Sequence, residues 1–268
     1  MRLNIRHHTA YRYEIPATRI VQAMRVWPRS NAMQTVERWA VRVGGKLLKP
    51  RCEDGFGNAE ATFSAEGPVE SLEVEVAGTV RTHDTAGVLG TTDEWLPPDY
   101  FLVPSPLTVV HAGLRESAAD QPAGETLPRL HALMLRIRER VEFRTDETHA
   151  ETRAHEAFAQ GSGVCQDHAH IMIAACRALG LPARYVAGYL WVHDDDLSPA
   201  SHAWCEVFVA DLGWVGFDVA NRISPNEHYV RVAVGRDARD AAPIRGIRQG
   251  GAVESLDVTV QVQVAQQQ

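Results

Sequence analysis

Three residues have the types, order and settings to do chemistry together: Cys165, His202 and Asp218. Cys165 follows the glycine-bracketed turn Gly161-Ser162-Gly163-Val164 and opens the apolar helical pattern that continues through Gln166-Asp167-His168-Ala169-His170. A helix N-terminus carries partial positive charge and unpaired N–H groups. A thiol placed there is easier to deprotonate, and the thiolate is the nucleophile. His202 lies in Ser201-His202-Ala203-Trp204 and Asp218 in Trp214-Val215-Gly216-Phe217-Asp218, both strand-like runs. A cysteine nucleophile needs a base to take its proton, and that base needs a third group to hold its ring. The three types are present in that order, which points to acyl transfer through a thiol.

Bland readings compete at each position. Free cysteine is among the most buried residue types, and Cys176 (mid-helix) and Cys205 (mid-strand) read as core. Asp167, in the first helical turn, reads as a group that caps the helix and suits its dipole, with a second reading beside the site. Trp204 and Trp214 read as packing residues flanking the site, where they would shield an ion pair from water. Cys165 and His168 have the spacing of two ligands on one helix face, but no second pair stands at zinc-finger spacing, so no metal is assigned. Asp194, Asp195 and Asp196 read as a solvated acidic loop.

The elements that must position these groups follow from periodicity. Leu3, Ile5, His7, Thr9, Tyr11 and Tyr13 alternate, as do Trp39, Val41 and Val43 before Gly44-Gly45, and Leu72, Val74, Val76, Gly78 and Val80. Short strands with regular turns predict a β-sandwich-like N-terminal domain over 1–84. A loop-rich connector with Pro97-Pro98, Pro104 and Pro106 covers 85–125. Residues 126–268 form the catalytic core with a C-terminal strand. There, Leu127, Leu130, Met134, Ile137 and Val141 predict a helix with Thr126 as N-cap. A second helix spans 153–160 and ends at Gly161. A third spans 165–179 and stops at Gly180. Strands follow over 184–192, 204–209 and 213–219, and Val258, Val260, Val262 and Val264 predict a last one before a frayed Gln266-Gln267-Gln268. His202 and Asp218 fall near the starts of consecutive strands joined by the turn at Asp211-Leu212-Gly213. Whether they face each other depends on register. The fold class is α+β: a β-rich domain, then a nucleophile helix packed on an antiparallel sheet.

The 268 residues suffice for two modest domains. Twenty-seven basic against 34 acidic residues give a net charge of −7, which does not point to nucleic acid. Met1 to His8 alternates and does not read as a signal peptide. No stretch approaches the ~20 apolar residues that span a membrane. Four cysteines in this length do not read as a disulfide framework, so a reducing, cytoplasmic setting is expected.

The motifs resemble those of the bacterial transglutaminase-like superfamily, a branch of the papain-like cysteine enzymes. Gly161 to Asp167 resembles its nucleophile motif. The run from Ala174 to Tyr189 (Ala-Ala-Cys-Arg-Ala-Leu-Gly-Leu-Pro-Ala-Arg-Tyr-Val-Ala-Gly-Tyr) resembles its helix–turn–strand continuation. Ser201 to Trp204 resembles the histidine motif, and Gly213 to Asp218 the aspartate motif. The similarity covers roughly 125–245, and the β-rich start is similar to the N-terminal domain of a bacterial subfamily. Two positions depart from the pattern: His168 stands where an aromatic is usual, and Val219-Ala220-Asn221 lacks the usual proline and threonine. The resemblance implies Cys165 as nucleophile, His202 as base and Asp218 as orienter, with no cofactor. It implies acyl transfer from an amide of a peptide or protein substrate, with hydrolysis favoured. Protein-glutamine transglutamination or deamidation remains an alternative, as does a non-catalytic binding module that keeps the fold. One oxyanion donor is the Cys165 N–H; the second is unassigned.

Overall fold

The computed structural model describes residues 1–92, 94–120, 124–192, 201–250 and 254–265. The expected acidic loop at Asp194 to Asp196 and the frayed Gln266 to Gln268 lie outside the described residues. The chain opens with β1 (Arg2–Trp27), β2 (Gln34–Val43), β3 (Lys46–Leu48), β4 (Cys52–Glu53) and β5 (Ala59–Thr82). Next come β6 (Val88–Gly90), α1 (Ala112–Ala119), α2 (Thr126–Arg140), β7 (Glu142–Phe143), α3 (Ala154–Gln160), β8 (Ser162–Gly163) and α4 (Cys165–Ala178). Six strands end it: β9 (Ala183–Leu190), β10 (Ser201–Val209), β11 (Gly213–Phe217), β12 (Tyr229–Gly235), β13 (Ile244–Gly250) and β14 (Glu254–Val264). Four of these six, β9 to β12, serve the core, and the other two, β13 and β14, do not.

The N-terminal layers are one seven-stranded sheet. β1 and β5 pair antiparallel from Leu3↔Val80 to Trp27↔Ala59, with a register break between Arg12 and Ala17. Such an irregularity lets long strands bend. The two halves then share a core: Tyr13, Leu72, Val74 and Val76 from one half pack with Ile20, Met24 and Ala61 from the other. β14, which the sequence reading attaches to the catalytic core, pairs along β1 from Leu3↔Val264 to Tyr13↔Glu254. β13 pairs with the second half of β1. The chain's end therefore returns to its beginning.

The core sheet is antiparallel, in the order β12-β9-β10-β11-β6. The loop-rich connector contributes to it: β6 forms one edge, and α1 buries Leu114 and Ala118. β12, at the other edge, was not expected, although Val230, Val232 and Val234 alternate there. Side-chain amides of the N-terminal sheet occupy its free edge. Asn58 donates to the Val234 carbonyl (2.7 Å) and accepts its N–H (2.8 Å), and Gln34 does the same at Arg231 (2.8 Å each). A sheet edge covered this way offers no template for aggregation.

α4 is buried nearly all round, from Asp167 to Arg177, as a helix at the centre of a core must be. Strand alternation sends Ala203, Cys205 and Val207 of β10 into the same cluster as Ile171, Ala174 and Ala175 of α4. Cys176 and Cys205 are fully buried there, as expected. Arg177 is also buried, and its guanidinium donates to the carbonyls of Phe101 (2.7 Å), Ala183 (2.8 Å) and Arg236 (2.9 Å) and to Thr108 Oγ1 (2.6 Å). One difference concerns α2. Glu125, in extended conformation, is its N-cap, and Thr126 is already helical. Pro128 then sits in the first turn, where the missing N–H has no intrahelical partner to lose.

Candidate active site

Local chain geometry fixes the thiol. Gly161 ends α3 in the left-handed conformation (φ 80°), which suits glycine. The next two residues pair parallel with β7, Glu142↔Ser162 and Phe143↔Gly163. Val164 is extended, and helix α4 begins at Cys165. Asp167 turns back to this start: its Oδ2 accepts the Val164 N–H (2.9 Å) and the Thr148 hydroxyl (2.6 Å). It therefore caps the helix, and burial pushes its carboxyl pKa up against those two donors. His168 is set between the carbonyl oxygens of Val164 and Val141, 2.9 and 3.0 Å from its two ring nitrogens. Cys165 itself is partly exposed, while His168 and Asp167 are buried.

The register settles how His202 and Asp218 meet. Cys205 pairs with Phe217 and Val209 with Gly213. One further step sets Asp218 across from Trp204, diagonal to His202 on the same face, a separation that polar side chains can bridge. Asp218 stands just past the end of β11, not near its start, and antiparallel pairing carries it to the beginning of β10. His202 Nε2 donates to Asp218 Oδ2 at 2.6 Å.

Asp218 Oδ2 accepts two more donors, Asn221 Nδ2 and the Tyr229 hydroxyl, both at 2.7 Å. Its Oδ1 accepts the Asn221 N–H at 3.2 Å. Asp218 is fully buried. Burial alone would raise its pKa, but these donors and the imidazolium charge outweigh it and hold the carboxyl below the usual range. For His202 burial likewise disfavours the charged form. The hydrogen bonds and charges of Asp218 on one side and Cys165 on the other prevail, raising its pKa to about 10. His202 is thus an imidazolium at neutral pH, held between a carboxylate and the sulfur.

Trp204 stays beside the histidine: the rings lie 6.4 Å apart, and Tyr229 packs edge-on to Trp204 at 5.4 Å. Gly188 makes room for that indole, since a Cβ there would come within 2.6 Å of it. Trp214 is elsewhere. It packs on Phe101 and Phe208 at 5.3 and 5.5 Å, beneath the Arg184 guanidinium at 3.8 Å. It does not line the site, because its place in the sheet turns it toward the buried Arg184.

Cys165 and His202 open on a cavity of about 380 Å³ whose walls include Val164, Ala187, Tyr189, Val232, Pro243 and, from the N-terminal sheet, His7. Sequence reasoning missed Tyr229, Tyr189 and His7 as contributors. Tyr229 opens the alternating run of β12, the one local signal available. His7 lies 158 residues before Cys165 in sequence, and nothing local announces its place.

Residues 115–219 match the transglutaminase-like superfamily, and residues 3–81 match the bacterial transglutaminase-like N-terminal region. The uncharacterized protein ML0607 of Mycobacterium leprae (strain TN) is 30% identical over 280 residues, covering 97% of this chain and 98% of that protein. The chain belongs to the transglutaminase-like superfamily. A solved protein from Cytophaga hutchinsonii, described as a "putative cysteine protease", matches with a TM-score of 0.78 at 24% identity, over 100% of this chain and 92% of that one. That likeness shows a shared fold. A shorter similarity, 35% over 78 residues, links 25% of this chain to 11% of a protein-glutamine gamma-glutamyltransferase of Pseudomonas aeruginosa. Among the described residues no helix is long and apolar enough to cross a membrane.

Proposed function

We propose that this chain is a cysteine-dependent amide hydrolase acting on a peptide or protein acyl donor, with Cys165 as nucleophile, His202 as acid and base, and Asp218 as orienter. The observation that carries the reading is the His202 ring, bonded to Asp218 at 2.6 Å and sharing with Cys165 the wall of one cavity, where the two interact. The thiolate attacks the carbonyl carbon, and the C–S bond forms as the carbonyl oxygen becomes an oxyanion. The Cys165 N–H, in the first turn of α4 with no intrahelical partner, is one donor to that oxyanion. As the oxyanion collapses, the C–N bond breaks and the His202 proton goes to the leaving amine. Neutral His202 then takes a proton from water, whose oxygen displaces sulfur from the thioester. A carboxylic acid leaves, and the thiolate–imidazolium pair is restored. Asp218 keeps the ring in place and favours its charged form throughout. Four unpaired cysteines support a reducing, cytoplasmic setting, in which Cys165 stays active.

The test is to incubate the protein with peptide amides and a labelled primary amine. Release of acid with an acyl-enzyme on Cys165 is the expected result. Amine incorporation outpacing hydrolysis would replace this reading with transglutamination through the same thioester. Failure of any acyl-enzyme to form on Cys165 would leave a binding module.

A further inference from the structure

The N-terminal sheet reaches the cavity that Cys165 opens on, and it does so with polar groups. His7 of β1 lies 2.9 Å through Nδ1 from the Tyr189 hydroxyl of β9, and its Nε2 lies 3.0 Å from Thr9 Oγ1. The His7 and Tyr189 rings meet edge to face at 5.8 Å. All three side chains are at least nine-tenths buried, yet His7 and Tyr189 form part of the cavity wall. Around them the wall is mostly apolar, with Ala187, Val232 and Pro243, and its other polar members, Gln166 and Ser201, carry no charge. The charged His202 stands at the reacting end and is engaged by Asp218 and Cys165. We infer that the Thr9–His7–Tyr189 chain is a recognition subsite for the acyl part of the substrate, selecting an uncharged side chain, whether apolar or ending in a hydrogen-bonding group, over an ionised one. This rests on Cys165 being the nucleophile and extends that reading to a substrate class.

The chemistry of a neutral imidazole supports the choice. Burial, helped by the neighbouring His8, lowers the His7 pKa to about 4, so the ring is neutral at physiological pH. A neutral ring has one donor and one acceptor nitrogen. In one tautomer Nε2–H donates to Thr9, and Nδ1 accepts the Tyr189 O–H; the phenol oxygen then offers lone pairs to the cavity. In the other, Thr9 donates to Nε2, and Nδ1–H donates to the phenol oxygen; the Tyr189 O–H is then free to donate inward. The same wall meets either a donor or an acceptor. It supplies no charge to compensate an ionised side chain, whose burial without a partner is costly. A role in reading substrate also explains why an N-terminal sheet is packed against the site at all.

Leucine, asparagine and aspartate side chains have nearly the same shape and differ in polarity and charge. N-acetylated chloromethyl ketones of the three amino acids alkylate a thiolate with loss of chloride, and rates follow from intact mass. Chloroacetamide, which has no side chain, measures bare thiol reactivity. The leucine and asparagine reagents should label Cys165 faster than the aspartate reagent by about tenfold or more. Tyr189→Phe keeps the ring and removes the hydroxyl; it should slow the asparagine reagent by about fivefold and leave leucine and chloroacetamide unchanged. His7→Ala should do the same, and Thr9→Val provides a milder second disruption if His7→Ala does not fold. Equal rates for aspartate and leucine, or an asparagine rate untouched in Tyr189→Phe, overturn the subsite while leaving the nucleophile in place. No labelling of Cys165 even by chloroacetamide removes the nucleophile, and the subsite with it.

Discussion

Strand β10 carries two buried charge clusters, four residues apart, that differ in what they are free to do. At its start, His202 bonds Asp218, which Asn221 and Tyr229 also hold. Further along, Glu206 takes Arg184 Nε at 2.6 Å and Arg231 Nε at 2.9 Å, and Glu94 closes the cluster from the other side by pairing with Arg184. Burial disfavours the charge on Glu206, but two guanidiniums outweigh it and hold its pKa low. Arg184 is fully buried and lies over Trp214. In the second cluster carboxylates face only guanidiniums, which do not give up protons in ordinary conditions. In the first, a carboxylate faces an imidazole whose other side meets a thiol and a cavity. The same device, an ion pair in a dry sheet face, is structural where every partner is fixed and, in the proposed mechanism, reactive where one partner can pass its proton on.

Substitutions should separate the two. The largest effect is expected from Cys165→Ala, which removes the proposed nucleophile: turnover of a peptide amide should fall by about 10⁴-fold or more. The thermal midpoint should stay close to that of the parent, because the residue is partly exposed. Asp218→Asn should follow, with kcat lower by about 10³-fold through loss of the ring's orientation and charge. A variant that retained more than a tenth of the parent rate in either case would remove the catalytic reading of the cluster.

Glu206→Gln should show the opposite pattern. It leaves Arg184 and Arg231 buried without their shared carboxylate, which typically costs about 3–5 kcal/mol. Urea unfolding should report that loss, while kcat per folded molecule should change by less than about twofold. A large fall in kcat with unchanged stability would mean that the two clusters act as one.

The contrast was partly legible in the sequence. Cys165 could be placed because a glycine turn, a helix start and an apolar pattern are local. Gly161 and Gly180 marked helix ends for the same reason. His202 and Asp218 could be named but not brought together, since their meeting depends on the register Cys205↔Phe217. Trp204 and Trp214 look alike in sequence, each beside a candidate catalytic residue, yet only Trp204 packs on the histidine. Both stand on the same face of the sheet; the difference is position along it, since Trp214 pairs opposite Phe208 at the far end of β10, under Arg184, whereas Trp204 is two residues from His202. Tyr229, His7 and the return of β14 to β1 depend on tertiary contacts that no window of neighbouring residues contains.

pH should distinguish the clusters from the alkaline side. The folded pKa of His202, about 10, lies above its ordinary value of 6.5. Its contribution to stability is therefore complete below 6.5 and lost as pH rises through about 10. Glu206 and Asp218, held low, lose their contributions on acidification instead, so acid alone does not separate the two. Turnover should decline above pH 10 as the proton donor disappears. In His202→Gln the loss of stability between pH 7 and 10, read from urea midpoints, should shrink. An unchanged slope in that variant would assign the alkaline loss to other groups.

The smallest and most discriminating effect is expected from Tyr229→Phe. The substitution keeps the ring that packs on Trp204 and His202 and removes one of three donors to Asp218 Oδ2. A single hydrogen bond to a carboxylate is worth about 1.5–3 kcal/mol, and only a part of it differs between the states of the reaction. A fall in kcat of about five- to tenfold follows, with KM little changed. The direction of the pH limb carries the argument. With one competing donor gone, Asp218 bonds the imidazolium more strongly, so the alkaline limb should move up. A residue that merely packed would lower stability and leave the limb where it was; a limb that moved down would show that Tyr229 acts on His202 by some route other than Asp218.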